Sequence, residues 1–154
     1  MDTKNKELLL KDLNARLHYG VKIEITWWVM DEGTCINTTL EPDHIEQLLN
    51  DEDGDTEIKP YLRPMSSMTE EEAKELSILC DITDVLSIKI TDEYIDFEVD
   101  DGFSSIETKI IWYNDIISSI EIFDWLNKNH FDYRGLIQMK LTIAVTKENN
   151  PYKK

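Results

Sequence analysis

The chain has 154 residues, 41% of them apolar, with four tryptophans and six tyrosines. That is enough to bury a core without disulfide or metal staples, and it argues for a folded protein rather than a disordered one. Acids outnumber bases 32 to 16, a net charge of −16, which argues against direct binding to nucleic acid or to an anionic membrane. The imbalance is local: residues 41–101 hold 20 acids and 4 bases, whereas the other 93 residues hold 12 of each.

Cys35 and Cys80 stand far apart and in no C-x-x-C pattern, so both are expected to be reduced core thiols of a cytosolic protein. Met1 to Lys6 lead into an amphipathic helix rather than a signal sequence. No apolar run approaches the ~20 residues that a membrane span needs, so a soluble protein is expected.

Residues 5–19 read as the first helix, with Leu9, Leu10, Leu13 and Leu17 on one stripe, Lys11, Asp12 and Arg16 away from it, and Gly20 after its end. The period then changes to two. Val21, Ile23, Ile25, Trp27 and Val29 alternate with more polar partners as a half-buried strand. Asp31-Glu32-Gly33-Thr34 reads as a turn, with Cys35 to Leu40 as the hairpin partner. Pro42, Ile45, Leu48 and Leu49 suggest a short helix ending near Asn50. The acidic run Asp51-Glu52-Asp53-Gly54-Asp55 fails as a calcium loop: with Gly54 at the sixth position, Leu49 falls at the first and Pro60 at the twelfth, so a solvated turn is expected.

Residues 58–68 carry Pro60 and Pro64, which fix φ and push Lys59 and Arg63 toward extended conformations. A structured, extended connector with Tyr61 and Leu62 buried is expected. Thr69 with Glu72 makes a capping box for a helix reaching about Cys80, with Leu76 and Leu79 inward. A three-strand meander follows. Leu86, Ile88 and Ile90 face one way, then Ile95, Phe97 and Val99, then Ile106, Thr108, Ile110 and Trp112, with turns at Asp92-Glu93 and Asp100-Asp101-Gly102. Ser118 and Glu121 mark a second capping box, for a helix to about Asn129. Ile137, Met139, Leu141, Ile143 and Val145 alternate as a last strand, and the tail from Lys147 is polar and expected to fray.

Several blocks are more distinctive than their chemistry. Leu8 to Leu13, Tyr19 to Lys22, Ile58 to Glu72, Phe123 to Leu126 and His130 to Ile137 resemble an uncharacterised group of small proteins of gut bacteria, their prophages and phages. The blocks cover about half of the chain. The chain differs from the group over residues 84–113 and carries His18 where the group has proline. The resemblance implies a phage or mobile-element setting and no catalytic or ligand residue.

The expected fold is therefore one α+β domain over residues 1–154: an antiparallel sheet of about six or seven strands curling toward a small open barrel, with three main helices. Its parts are the helix of residues 1–20, the hairpin and connector of 21–68, the helix and meander of 69–113, the helix and last strand of 114–146 and the tail. His18, His44 and His130 share no metal-ligand spacing, and no Walker, Rossmann, G-x-S-x-G or H-E-x-x-H pattern occurs. No cofactor, metal or catalytic residue is assigned, and an enzyme is not expected. His130, Asp132, Tyr133 and Arg134 form the one mixed cluster, which serves more simply as a turn closed by Gly135.

The acidic middle then carries the functional expectation. Glu70, Glu71, Asp92, Glu93, Asp96, Glu98, Asp100 and Asp101 would form a negative face for a basic protein partner. That partner would be a nucleic-acid-binding protein such as a host defence nuclease, met by a DNA-mimic inhibitor of the anti-CRISPR kind. Along one strand Asp96, Glu98 and Asp100 stand about 7 Å apart, near the spacing of phosphates on a DNA strand. Acids that only solubilise the protein, or protect its edge strands, would look much the same. The competing expectation is a structural or scaffold subunit anchored through Trp28 and Trp125.

Overall fold

The computed structural model describes residues 1–30, 32–111 and 120–153. They fall into two units, one made of Met1–Arg63 with Gly135–Lys154 and the other of Pro64–Arg134.

In the first unit, helix α1 (Thr3–Arg16) starts earlier than its apolar stripe, because the Asp2 carboxylate accepts the Asn5 N–H at 2.8 Å and caps it. A short 3-10 turn, Leu17–Tyr19, ends on Gly20 at φ 66°, the left-handed position expected for a residue past a helix end. Strands β1 (Lys22–Val29) and β2 (Glu32–Thr39) pair antiparallel from Lys22↔Thr39 to Val29↔Glu32, so Gly33 belongs to the strand rather than to the turn. Helix α2 (Pro42–Asn50) follows with proline in its first turn, burying Ile45 and Leu48 and leaving Leu49 in solvent.

The expected connector is in large part strand β3 (Thr56–Leu62), antiparallel to β1. Trp28 N–H donates to the Asp55 carbonyl at 2.8 Å, so even-numbered residues of β1 turn their backbone groups toward β3. Ile23 opposite Pro60 is then a non-hydrogen-bonded pair, and the proline nitrogen faces away from β1. The ladder to β7 (Ile143–Ala144, parallel to β3) begins only at Tyr61. Pro60 thus sits inside a sheet at a point where no donor is required. Tyr61 and Leu62 are buried as expected. The sheet order is β2-β1-β3-β7, and its core joins α1 and α2 to Ile23, Ile25, Ile58 and Leu62.

The alternation over residues 137–146 yields only the two residues of β7. Gly135 at φ 74° and Lys140 at φ 60° close a turn in which Leu141 N–H reaches the Leu136 carbonyl at 3.0 Å. Leu136 and Leu141 enter the core instead, and Met139 is left exposed. The tail does not simply fray: Tyr152 packs against this core.

In the second unit, Thr69 caps helix α3 (Glu70–Leu79). Its hydroxyl accepts Glu72 N–H at 3.2 Å and the Glu72 carboxylate accepts Thr69 N–H at 2.9 Å. Strands β4 (Val85–Ile90), β5 (Tyr94–Asp100) and β6 (Ser105–Ile111) form the antiparallel meander, with β5 central. A register shift between Val85 and Ser87 turns Val85 inward and leaves Leu86, expected inside, 58% exposed. Ile95 and Phe97 are fully buried, against Leu76 of α3 and Leu126 of helix α4 (Ile120–Lys128). Trp112 and Ser118 lie outside the described residues.

The described residues thus hold four α-helices and seven strands in two open sheets, not one sheet curling toward a barrel with three helices. The reason is burial: the meander's apolar face is covered by α3 and α4 within its own unit, so nothing requires it to continue the other sheet.

Candidate partner-binding surface

The second unit holds 17 acids and 5 bases, a net of −12, so most of the chain's charge belongs to it. The expected acids divide among three places. Glu70 and Glu71 occupy the first turn of α3, where the helix dipole favours them. Asp92 and Glu93 make the β4–β5 turn. Thr91 Oγ1 accepts the Glu93 and Tyr94 N–H groups there, and Asp92 accepts Ser66 N–H at 3.2 Å. That bond ties this turn to the segment just before α3. Asp100 and Asp101 lie at the other end of β5, in the β5–β6 turn. Asp100 accepts Gly102 N–H at 2.8 Å, and Asp101 accepts Phe103 N–H at 2.8 Å and Ser104 N–H at 2.6 Å. Those two N–H groups, Ser104 first, hold the Asp101 carboxyl below its ordinary range.

Along β5 the negative stripe is interrupted. Asp96 is half-buried and pairs in register with Lys89 on β4 and Lys109 on β6, so a Lys-Asp-Lys row crosses the sheet. Both ammonium groups lie over the Tyr94 ring, Lys109 at 3.6 Å and Lys89 at 5.7 Å from its centroid. The Lys89 pKa is raised, first by its hydrogen bond with Tyr94 and also by Asp96 and Glu107. Glu98 stands opposite Glu107, and its carboxyl is lowered by hydrogen bonds from Ser87, at 2.8 Å, and Ser105. Glu70 pairs with Lys74 at 2.7 Å, a hydrogen bond that lowers its carboxyl.

The face is therefore most negative at the Glu98, Asp100, Asp101 and Glu107 end, and balanced around Asp96. Sequence reasoning missed Glu107, Lys89 and Lys109. Register would have found them: a four-residue loop closing Asp100 on Ser105 sets Asp96 opposite Lys109 and Glu98 opposite Glu107.

The remaining candidates are occupied by structure. His44 Nδ1 accepts Glu41 N–H at 3.0 Å at the start of α2. Phe131 and Tyr133 are buried, with Tyr133 donating to Asn127 at 3.0 Å and accepting from Arg134 at 3.0 Å, while Gly135 supplies the expected positive φ. Trp125, expected as an exposed anchor, stacks on Phe131 at 5.6 Å and donates its indole N–H to Glu75. Trp28 is 45% exposed. Both cysteines are free, as expected, but only Cys80 belongs to a core: it is half-buried against the second unit's core, its thiol pushed up by burial and by Asp81, whereas Cys35 is exposed on β2.

A cavity of about 840 Å³ in the first unit is bounded by α1, β3 and the Asp51–Gly54 turn. Of its three lysines, Lys6 is tied to the Asp51 carbonyl at 2.9 Å and Lys59 to Glu57 at 2.8 Å, and Lys140 is the third on its lining. Among the described residues no cluster of three or more His, Cys, Asp or Glu could hold a metal ion, and no helix is long and apolar enough to cross a membrane. Comparison with protein-family models, with curated proteins and with solved structures finds no match to this chain.

Proposed function

We propose that this chain is a non-enzymatic protein-binding module whose second unit engages a basic partner. The observation that carries the reading is the net charge of −12 on that unit, with Glu98, Asp100, Asp101 and Glu107 gathered at the β5–β6 end of the meander. The binding edge is narrower than the spacing of acids along the chain implies. Glu98, Asp100, Asp101 and Glu107 lead it, Asp92, Glu93, Glu70 and Glu71 form a second group, and Asp96 stands in register between Lys89 and Lys109, whose positive charges offset the stripe there. The partner is a basic, nucleic-acid-binding protein such as a host nuclease, met in the cytoplasm of a bacterial host in a phage or mobile-element setting. The acids would then stand in for phosphates.

The test compares three proteins in pull-downs from host lysate at low and moderate salt. These are the parent, Glu98→Gln/Asp100→Asn/Glu107→Gln, and a control with equal charge loss in the first unit, Asp51→Asn/Glu52→Gln/Asp53→Asn. A basic partner retained by parent and control, and lost both from the first variant and on adding salt, supports the reading, because exposed charge pairs are screened over about 8 Å at physiological ionic strength. Equal recovery by all three proteins, or by none, refutes it.

A further inference from the structure

Among the described residues, strand β2 is the outer strand of the first unit's sheet and pairs with β1 alone. Leu40 N–H donates to the Val21 carbonyl at 2.9 Å, so even-numbered residues of β2 turn their backbone groups toward β1. Gly33, Cys35, Asn37 and Thr39 therefore direct theirs outward. Residues 33–39, Gly-Thr-Cys-Ile-Asn-Thr-Thr, hold no proline, no charge and no bulge, which are the devices that protect an edge strand from pairing. Ile36 lies opposite Ile25 on the core-facing side of the sheet, yet is 43% exposed where Ile25 is fully buried. Trp28 at 45%, Val29 at 68% and Met30 at 96% continue the apolar exposure to the hairpin end.

We infer that β2 is a self-association edge, joining antiparallel to β2 of a second copy about a two-fold axis at Ile36. That axis places Gly33 opposite Thr39 of the second copy and Cys35 opposite its Asn37. It thereby maps all four outward residues onto one another as hydrogen-bonded pairs. Ile36 meets its own equivalent as the close, non-hydrogen-bonded pair, about 4.5 Å between Cα atoms.

Charge selects the same occupant. The uncharged strand sets no acid against an acid across the axis, although each chain carries −16. The Gly33–Thr39 row adds a specific contact. The Trp28 indole lies over Gly33, so close that a Cβ there would stand 3.1 Å from it. Lys22 Nζ is held on Thr39 Oγ1 at 2.6 Å. Directly opposed residues share a face, so pairing brings the lysine of each copy beside the indole of the other, a cation–π arrangement.

The experiment is sedimentation of the full chain over a loading series reaching about 0.5 mM, the range in which a small interface of micromolar to millimolar affinity registers. The expected result is a mass rising twofold with concentration, more readily at moderate than at low salt, because salt screens repulsion between two acidic copies. Ile36→Lys, which sets two ammonium groups together at the axis, stays at monomer mass with an unchanged melt. In a Cys80→Ser background, Asn37→Cys gives a covalent dimer under mild oxidation through Cys35 of the other copy, whereas Cys80→Ser alone does not. A parent that stays monomeric throughout, an Ile36→Lys variant that dimerises like the parent, or crosslinking that proceeds equally well without the Asn37→Cys substitution each overturns the proposal. The opposite salt dependence separates this outcome from that of the acidic-face reading.

Discussion

Tyr152 offers the sharpest test of how the first unit is closed. Continuing the β1–β3 register past Ile23↔Pro60 would set Lys22 opposite Tyr61. Instead the Tyr152 hydroxyl occupies that step, accepting Lys22 N–H at 3.1 Å and donating to the Tyr61 carbonyl at 2.7 Å. Tyr152→Phe keeps the ring and removes both bonds, leaving two part-buried backbone groups unpaired. At ~1–3 kcal/mol for each unsatisfied group, less what water recovers at the partly open edge, the loss is about 2 kcal/mol. Urea unfolding followed by tryptophan fluorescence reads it as a lower midpoint at unchanged slope. Amide exchange at Lys22 localises it.

Alkaline pH supplies a second arm. Burial, the leading cause, raises the Tyr152 pKa from 10.0 to about 12. The folded state therefore holds the phenol proton more tightly than the unfolded chain does. The stabilisation is fully present below pH 10 and is lost as pH rises through 12, amounting to about 3 kcal/mol at ~1.4 kcal/mol per pKa unit. Tyr61 is also raised, first by burial and then by Glu24, so the parent-minus-variant difference is the quantity to follow. A Tyr152→Phe protein with parental stability, parental Lys22 protection and a parental decline above pH 10 would refute the bridge.

Asp12→Ala takes the carboxylate from a fully buried ion pair with Arg16, made at 2.7 and 3.1 Å, and should cost about 3 kcal/mol in urea unfolding. A loss no larger than that of Glu7→Ala at the exposed surface would mean the pair is not closed off from solvent. Thr69→Ala removes the capping hydroxyl of α3 and should cost about 1 kcal/mol, with Thr69→Ser largely restoring it. Identical melts for parent and Thr69→Ala would remove the claim that this junction organises the second unit.

Much of the local structure was legible because it depends on neighbours in the chain. Thr69 and Glu72 close their capping box over three residues, Gly20 and Gly135 take positive φ where the backbone must turn, β1 and β5 follow their period-two patterns, and β2 returns as the hairpin partner. The α+β class followed from those periods. The acidic candidates were legible as composition, but their grouping was not, since Lys89 and Lys109 meet Asp96 only through cross-strand register.

What pattern could not supply is which surface each element meets. Asp12 and Arg16 lie off the leucine stripe and would be placed in water, yet both are fully buried. Arg16 stands near enough to Tyr152, far along the chain, for its charge to act on the hydroxyl. Residues 58–68 read as an extended connector, with Pro60 and Pro64 fixing φ and extending Lys59 and Arg63. Only the phase of the β1 ladder shows that Pro60 owes no hydrogen bond there. Residues 137–145 alternate as a strand would, but backbone turns at Gly135 and Lys140 commit those before Ile143 to a loop and leave only Ile143–Ala144 as strand. Periodicity encodes a preference for two faces. Tertiary structure decides how many faces exist, and it did so here by closing two cores, so that β2 was left as an edge with an uncovered isoleucine.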